Sequence, residues 1–334
     1  MAYVSPSATA PGRIAAARWP AMLAALVLAI LIAAPQLGLP SYLLALAIEI
    51  FIFSILTMSL NLLLGYTGLV SLGHAAFFAV GAYGAAIAAN QLSTEIWLST
   101  GVGVLTAALL AVPVGWLSIR LSGFYFLMIT LAVAQMIFSV VFRWKWLTGG
   151  SDGLLVDGPT LFGRPVLVGR VEMYYFGLAL FCLVWALLAR IVNAPFGQVL
   201  VGIRENTRRM RAIGFDVRRV KLQAFVLSAA LAGLAGTLNA QFNLFVGPDS
   251  AHWTQSASVL VMLLIGGVGT LAGPVIGVTI LLLLQNWLSS YTEYWNLVLG
   301  LIFIVFISSA REGVYGLVTR AAGRLTGSGG GRCQ

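Results

Sequence analysis

Of 334 residues, 60% are hydrophobic and only 9% charged, against roughly 25% charged residues in soluble globular chains. The apolar runs are continuous rather than alternating, which excludes a β-barrel and predicts an all-α polytopic membrane protein with about 9–10 transmembrane segments, some broken or re-entrant. A net charge of +9 then belongs to loops and tails that meet an anionic membrane surface or an acidic partner, and it does not argue for nucleic acid.

Residues 1–18 are expected to form a cytoplasmic N-terminal tail carrying Arg13 and Arg18, followed by an apolar run from about Ala21 to Ala34. That run reads either as a signal peptide ending near Ala33-Ala34-Pro35 or as an uncleaved first helix, and the spans that continue after it favour the helix. Further spans are expected at about 41–62, 66–90, 96–118, 122–142, 172–192, 222–244, 255–285 and 293–310, so that residues 19–310 form one transmembrane domain. Starting inside, parity brings the chain back to the cytoplasm at Arg120, places 143–171 outside and 193–221 inside. The outside assignment is held against Arg143, Lys145, Arg164 and Arg170, which are interspersed with Asp152, Asp157 and Glu172. A single crossing at 255–285 would leave Arg311, Arg320 and Arg324 outside, against the positive-inside rule. Gly266-Gly267-Val268-Gly269 and Gly273-Pro274 resolve the conflict, because they split the segment into two half-length helices or two short crossings. Residues 311–334 are then a cytoplasmic tail, ending in a flexible Gly/Ser stretch. Cys182, in an apolar run, and Cys333, in that tail, suggest neither a disulfide framework nor a metal site.

The loop 193–221 holds seven of the nineteen basic residues: Arg204, Arg208, Arg209, Arg211, Arg218, Arg219 and Lys221. Phe196, Val199, Leu200, Ile203, Thr207 and Met210 recur at helical spacing, with Arg204, Arg208 and Arg211 as a neighbouring polar stripe. Pro195 suits the first turn and Gly214 the stop. Glu205 and Arg209 stand in the favourable i, i+4 order, worth roughly 0.2–0.5 kcal/mol, and Asp216 can cap a following helix. Such a helix either rests on anionic lipid or docks into a soluble partner.

Residues 61–74 concentrate Asn61, Gly65, Tyr66, Gly68, Ser71, Gly73 and His74 in an apolar stretch. Glycines at membrane depth either let helices pack closely or break a helix that lines a cavity. Gly65 to Gly73 and Gly266 to Pro274 make a pair of interrupted segments, the usual pointer to a midplane pathway, with Gly266, Gly267 and Gly269 on its second side. His74 is either a packing residue or a ligand contact, and Glu49 must face the bundle interior or be protonated. Gly267-x-Gly269-x-x-x-Gly273 lacks the preceding strand of a nucleotide-binding turn. The chain also contains no G-x-x-x-x-G-K-[ST], no H-E-x-x-H and no nucleophile elbow with a triad, so no catalytic or metal-binding residues are assigned and no cofactor is expected.

Three stretches resemble the permease subunits of ATP-driven importers for branched-chain amino acids, of the LivM type. They are GYTGLVSLGHAAFFAVGAY at 65–83; FYFLMITLA at 124–132 with LTGGSDGL at 147–154; and IRENTRRMRAIG, LSAALAGLAGTL and IGGVGTLAGP within 203–274. The resemblance implies that the polar loop is the coupling element for an ATPase, with Arg204, Glu205, Asn206, Arg208, Ala212 and Gly214 as candidates. It implies that Asn61, Gly65, Tyr66, Ser71, Gly73, His74, Gly266, Gly267 and Gly269 line or gate the pathway. The importer pattern E-A-A followed after three residues by Gly is met only loosely, since Glu205 and Gly214 are nine apart. Leu69 stands where many relatives have Gln. The implied partners are two ATP-binding cassette ATPases, a second homologous permease, a periplasmic or lipid-anchored solute-binding protein and membrane lipid. The implied location is the cell inner membrane, and the chain itself is not expected to be an enzyme. Solutes in the family also include urea and short amides, and an ion-coupled secondary transporter is the rival of another class.

Overall fold

A computed structural model describes residues 29–36, 38, 40–161, 164–165 and 170–291, with isolated positions 294, 297, 298, 300, 301, 303, 314 and 316. The spans expected at 21–34 and 293–310, and both tails, lie largely or wholly outside the described residues.

Helix α1, Ser41–Asn61, starts directly behind Pro40 and runs on into one π-helical turn, Leu62–Thr67. Gly68 ends it at φ +76°, in the left-handed region that glycine enters without a Cβ penalty. The wide turn closes through Leu69 N–H donating to the Leu63 carbonyl at 3.0 Å and Thr67 Oγ1 donating to the Leu62 carbonyl at 3.0 Å. The span expected from residue 66 therefore begins only at His74, because 68–73 is irregular backbone. Helix α2 is His74–Gln91, α3 Ile96–Ser118, α4 Phe124–Arg143, α5 Arg170–Asn193, α6 Pro195–Ala212, α7 Val217–Asn243, α8 Trp253–Gly266 and α9 Gly273–Ser289. The 255–285 segment is thus two short apolar helices.

Among the described residues five helices are long and apolar enough to cross a bilayer: α1 with its π turn, α3, α4, α5 and α7. Helix α2 is buried along most of its length by neighbouring helices rather than left to lipid. It owes this to small residues, which let backbones approach closely where no hydrophobic force separates protein from lipid. A Cβ on Gly81 would lie 2.4 Å from the Gly233 carbonyl oxygen, and one on Gly236 would lie 1.9 Å from that of Phe78, so α2 and α7 meet backbone to backbone. Gly103 of α3 completes the contact, its hypothetical Cβ 2.5 Å from the Gly81 carbonyl oxygen.

At one end of α7 lies α6. At the other, the two-residue strands β1 (Leu154–Leu155) and β4 (Phe245–Val246) pair antiparallel. A second short pair joins β2 (Thr160–Leu161) to β3 (Arg164–Pro165). The basic loop and the 143–161 region consequently sit at opposite ends of a 27-residue helix, about 40 Å apart at 1.5 Å per residue.

Candidate functional site

The two interrupted segments meet. Asn61, the last residue of α1, donates from Nδ2 to the Thr270 carbonyl at 2.7 Å, and its Oδ1 accepts from Gly269 N–H at 2.9 Å. Donor and acceptor of one amide are both used, which fixes its orientation and ties the α8–α9 loop to the π turn. Gly65 leaves the room for this: a Cβ there would fall 2.1 Å from Asn61 Oδ1 and 2.7 Å from Gly269 N. Gly267 and Gly269 hold the loop with φ of +118° and +82°. Replacing Asn61 by alanine leaves a buried N–H and C=O unpaired at about 1–3 kcal/mol each. A drop in the detergent-solubilised melting temperature, with faster amide exchange at 267–270, is the expected result; unchanged exchange would show the loop is held elsewhere.

Arg204 reaches this knot from α6. Its Nη1 donates to the Gly65 carbonyl. Its stem covers Gly68, where a Cβ would be 3.1 Å from Arg204 Cγ, while a Cβ on Gly269 would be 3.2 Å from Nη1. Candidates expected to serve coupling and candidates expected to serve the pathway therefore touch. Arg204 is exposed like Arg208 and Arg211, but its guanidinium turns back to the Gly65 carbonyl, which sets it apart from them.

The face of α6 read from periodicity is the one that packs: Leu200, Ile203 and Met210 are buried, and Phe196, Val199 and Thr207 partly so. Gly214 ends the segment at φ +93°, and Asp216 caps α7 by accepting from Arg219 N–H at 3.2 Å. One expectation fails. Asn206 leaves helical geometry at φ −154°, ψ 94°, and its Oδ1 accepts from Arg209 N–H at 3.0 Å, acting as the N-cap of a new helical piece. Glu205 and Arg209 are consequently not i, i+4 neighbours on one cylinder and form no ion pair; among the described residues the pair that does form is Arg219–Asp216, at 2.9 Å. Glu205, Asn206, Arg208, Ala212 and Gly214 are all exposed. So are two apolar residues that periodicity did not single out, Ile213 (63%) and Phe215 (41%), whose signal was their flanking of Gly214 at the loop tip.

The break at 68–73 is anchored on three sides. Leu72 N–H donates to Thr130 Oγ1 of α4 at 3.2 Å and Ala75 N–H to Ser256 Oγ of α8 at 2.8 Å. His74 Nε2 lies 2.8 Å from Ser228 Oγ of α7, and that hydroxyl donates to the Ser59 carbonyl at 2.5 Å. With its one proton spent there, Ser228 accepts from His74, which places a proton on Nε2, while Nδ1 has no partner among the described residues. Ser71 and His74 are fully enclosed, and Ser71 Oγ accepts from Gly73 N–H at 3.2 Å. Tyr66 borders a narrow gap with Met58, Asn61 and Leu188. Gly266 serves packing: a Cβ there would sit 1.9 Å from the Gly273 carbonyl oxygen, so it lets α8 cross α9. Ser59, Ser228, Ser256, Thr130 and Thr270 were not legible as partners, because each is an ordinary hydroxyl in an apolar run. Glu49 is half-buried on α1. Among the described residues no group of three or more His, Cys, Asp or Glu could hold a metal ion.

Residues 42–307 match the model of the branched-chain amino acid transport system / permease component family. The high-affinity branched-chain amino acid transport system permease protein LivM of Escherichia coli K12 is 30% identical over 286 residues, covering 79% of this chain and 67% of that protein. LivH of the same organism is 24% identical over 290 residues, covering 79% and 91%. A probable LivM of Methanocaldococcus jannaschii is 24% identical over 291 residues, covering 75% and 83%. No solved structure matches.

Proposed function

The chain belongs to the branched-chain amino acid transport system permease family, and from that membership we propose that it is the pathway-forming subunit of an ATP-driven importer in the cell inner membrane. Its cargo is branched-chain amino acids. Two ATP-binding cassette ATPases dock on the cytoplasmic side, a second homologous permease completes the pathway, and a periplasmic or lipid-anchored binding protein delivers solute.

One contact supports the mechanism best: Arg204 of the basic loop on the carbonyl of Gly65 in the broken first segment. The exposed side of α6 and its tip, Glu205, Asn206, Arg208, Ala212, Ile213, Gly214 and Phe215, form the docking surface. A push there has a hinge at Asn206 and a rigid handle in Arg204. The handle moves the knot of Gly65, Asn61 and Gly269, and with it the irregular strand leading to Ser71, Gly73 and His74. Alternating access then needs no titratable relay and no catalytic group in this chain, because the driving force comes from the partner. The apolar surroundings of His74 suit an aliphatic side chain, while selectivity rests with the delivery protein, so this subunit need bind solute only weakly.

The test is to co-purify the tagged chain with its ATPases and measure solute-stimulated hydrolysis. Glu205→Ala removes one exposed docking contact, and a loss of roughly 1–2 kcal/mol, below the about 2 kcal/mol that marks a hot spot, should lower hydrolysis about tenfold. Solute uptake by the lone chain in liposomes without ATP would sink the proposal in favour of an ion-coupled carrier.

A further inference from the structure

The ends of α3 and α7 enclose a cleft of about 210 Å³ lined by Trp116, Ile119, Arg120, Asp216, Arg218, Arg219 and Leu222. It brings together three guanidinium groups and one carboxylate from parts of the sequence almost a hundred residues apart. The carboxylate is already committed: Asp216 caps α7 and pairs with Arg219 at 2.9 Å. Arg120 lies over the Trp116 ring, 3.8 Å from its centre, and neither Arg120 nor Arg218 has a carboxylate within ion-pair distance among the described residues. Two cations thus face a cleft without a counter-ion.

The surroundings say what kind of anion fits. Trp116 is 59% exposed, with Leu117 and Leu121 exposed beside it, at the end of a helix whose outer face is apolar. An indole with one apolar and one wet side is the usual marker of headgroup depth. Guanidinium groups match phosphate oxygens two by two, and basic clefts between membrane helices are where acidic headgroups lodge. We propose that this cleft holds the phosphate of an acidic phospholipid, with Arg120 and Arg218 on the phosphate and Trp116 and Leu222 along the glycerol and upper acyl chain. A site here would pin the start of α7 beside the basic loop to the bilayer, so that α6 moves against a fixed floor. A protein partner is the less fitting occupant, because the cleft opens beside exposed Trp116 and Leu117 on the lipid-facing side of α3.

The proposal can be tested on the full-length chain alone, without ATPases or solute, so its failure and that of the transport assignment are separable. The chain is purified from vesicles containing phosphatidylglycerol and phosphatidylcholine in equal amounts, and retained lipid is counted by native mass spectrometry. The wild type should retain phosphatidylglycerol over phosphatidylcholine by roughly tenfold or more, as two basic side chains at a membrane surface provide. The double variant Arg120→Gln, Arg218→Gln should lose that preference, while Arg190→Gln, which removes a charge outside the cleft, should keep it. Trp116→Ala serves as a second probe that leaves the charges in place, and a weaker hold on the same lipid is expected. Unchanged preference in the double variant would overturn the site. So would displacement of the lipid by millimolar inorganic phosphate, which would make the ligand a soluble anion. Cross-linking of Arg218→Cys to an ATPase in the assembled complex would overturn it in favour of a protein occupant.

Discussion

Replacing Arg204 by alanine should leave an assembled transporter that still hydrolyses ATP but takes up solute at least about tenfold more slowly. The guanidinium is what joins the basic loop to the Gly65 carbonyl. Without it a carbonyl in the π turn loses its charged donor, for which roughly 1.5–3 kcal/mol is typical, or about tenfold and upward in the fraction of turns that transmit motion. The other exposed residues of α6, Glu205, Asn206, Arg208 and Ala212, are untouched by the change, so the ATPases should co-purify as before. Arg204→Lys should recover only part of the loss, because an ammonium on a flexible stem cannot both donate to Gly65 and lie flat against Gly68 and Gly269. Uptake and hydrolysis measured in one proteoliposome preparation decide the matter. If hydrolysis disappears with uptake, or the ATPases no longer co-purify, Arg204 acts in docking and not in transmission.

A large loss of stability should come from Gly236→Ala. Its methyl would be placed 1.9 Å from the Phe78 carbonyl oxygen, and rigid backbone cannot yield as a side-chain end would. Helices α2 and α7 must separate, and overpacking of this kind costs about 1–3 kcal/mol. Gly81→Val, against the Gly233 backbone, should be worse and should fail to accumulate in the membrane. Gly101→Ala is the control, with nothing within 4 Å of its Cβ; it should melt no lower than the wild type, since alanine favours a helix over glycine by up to about 1 kcal/mol. Equal melting of all three variants would show that the close crossing of α2 and α7 carries no strain.

Local chemistry explains which parts of this architecture could be read beforehand. Helix α6 was legible from both ends inward: Pro195 begins it, Gly214 ends it, Asp216 caps its successor, and the apolar residues between show which side packs. Its hinge was not. Asn206 in a helical pattern reads only as a poor helix former, and its capping of Arg209 appears only when the backbone departs from the cylinder. The same break removed the expected Glu205–Arg209 pair. Glycines announced that both 65–73 and 266–274 interrupt their helices. That one interruption is tied to the other by Asn61 is a tertiary fact between residues more than two hundred positions apart, and no periodicity records it. The start of α2 at His74 was hidden for a related reason, since Leu69, Val70 and Leu72 are as apolar as any helical residue.

The π turn at Leu62–Thr67 has a geometric corollary. Each coil of such a helix contains one residue more than its tighter α counterpart, so the chain here stores spare length, as a loosely wound spring does. Should the coil tighten, everything after it would advance by about 1.5 Å and rotate by roughly 100°. Gly65, at the centre of that coil, is where Arg204 takes hold, so a displacement of Arg204 that tightened the coil would become a screw motion directed toward the imidazole of His74.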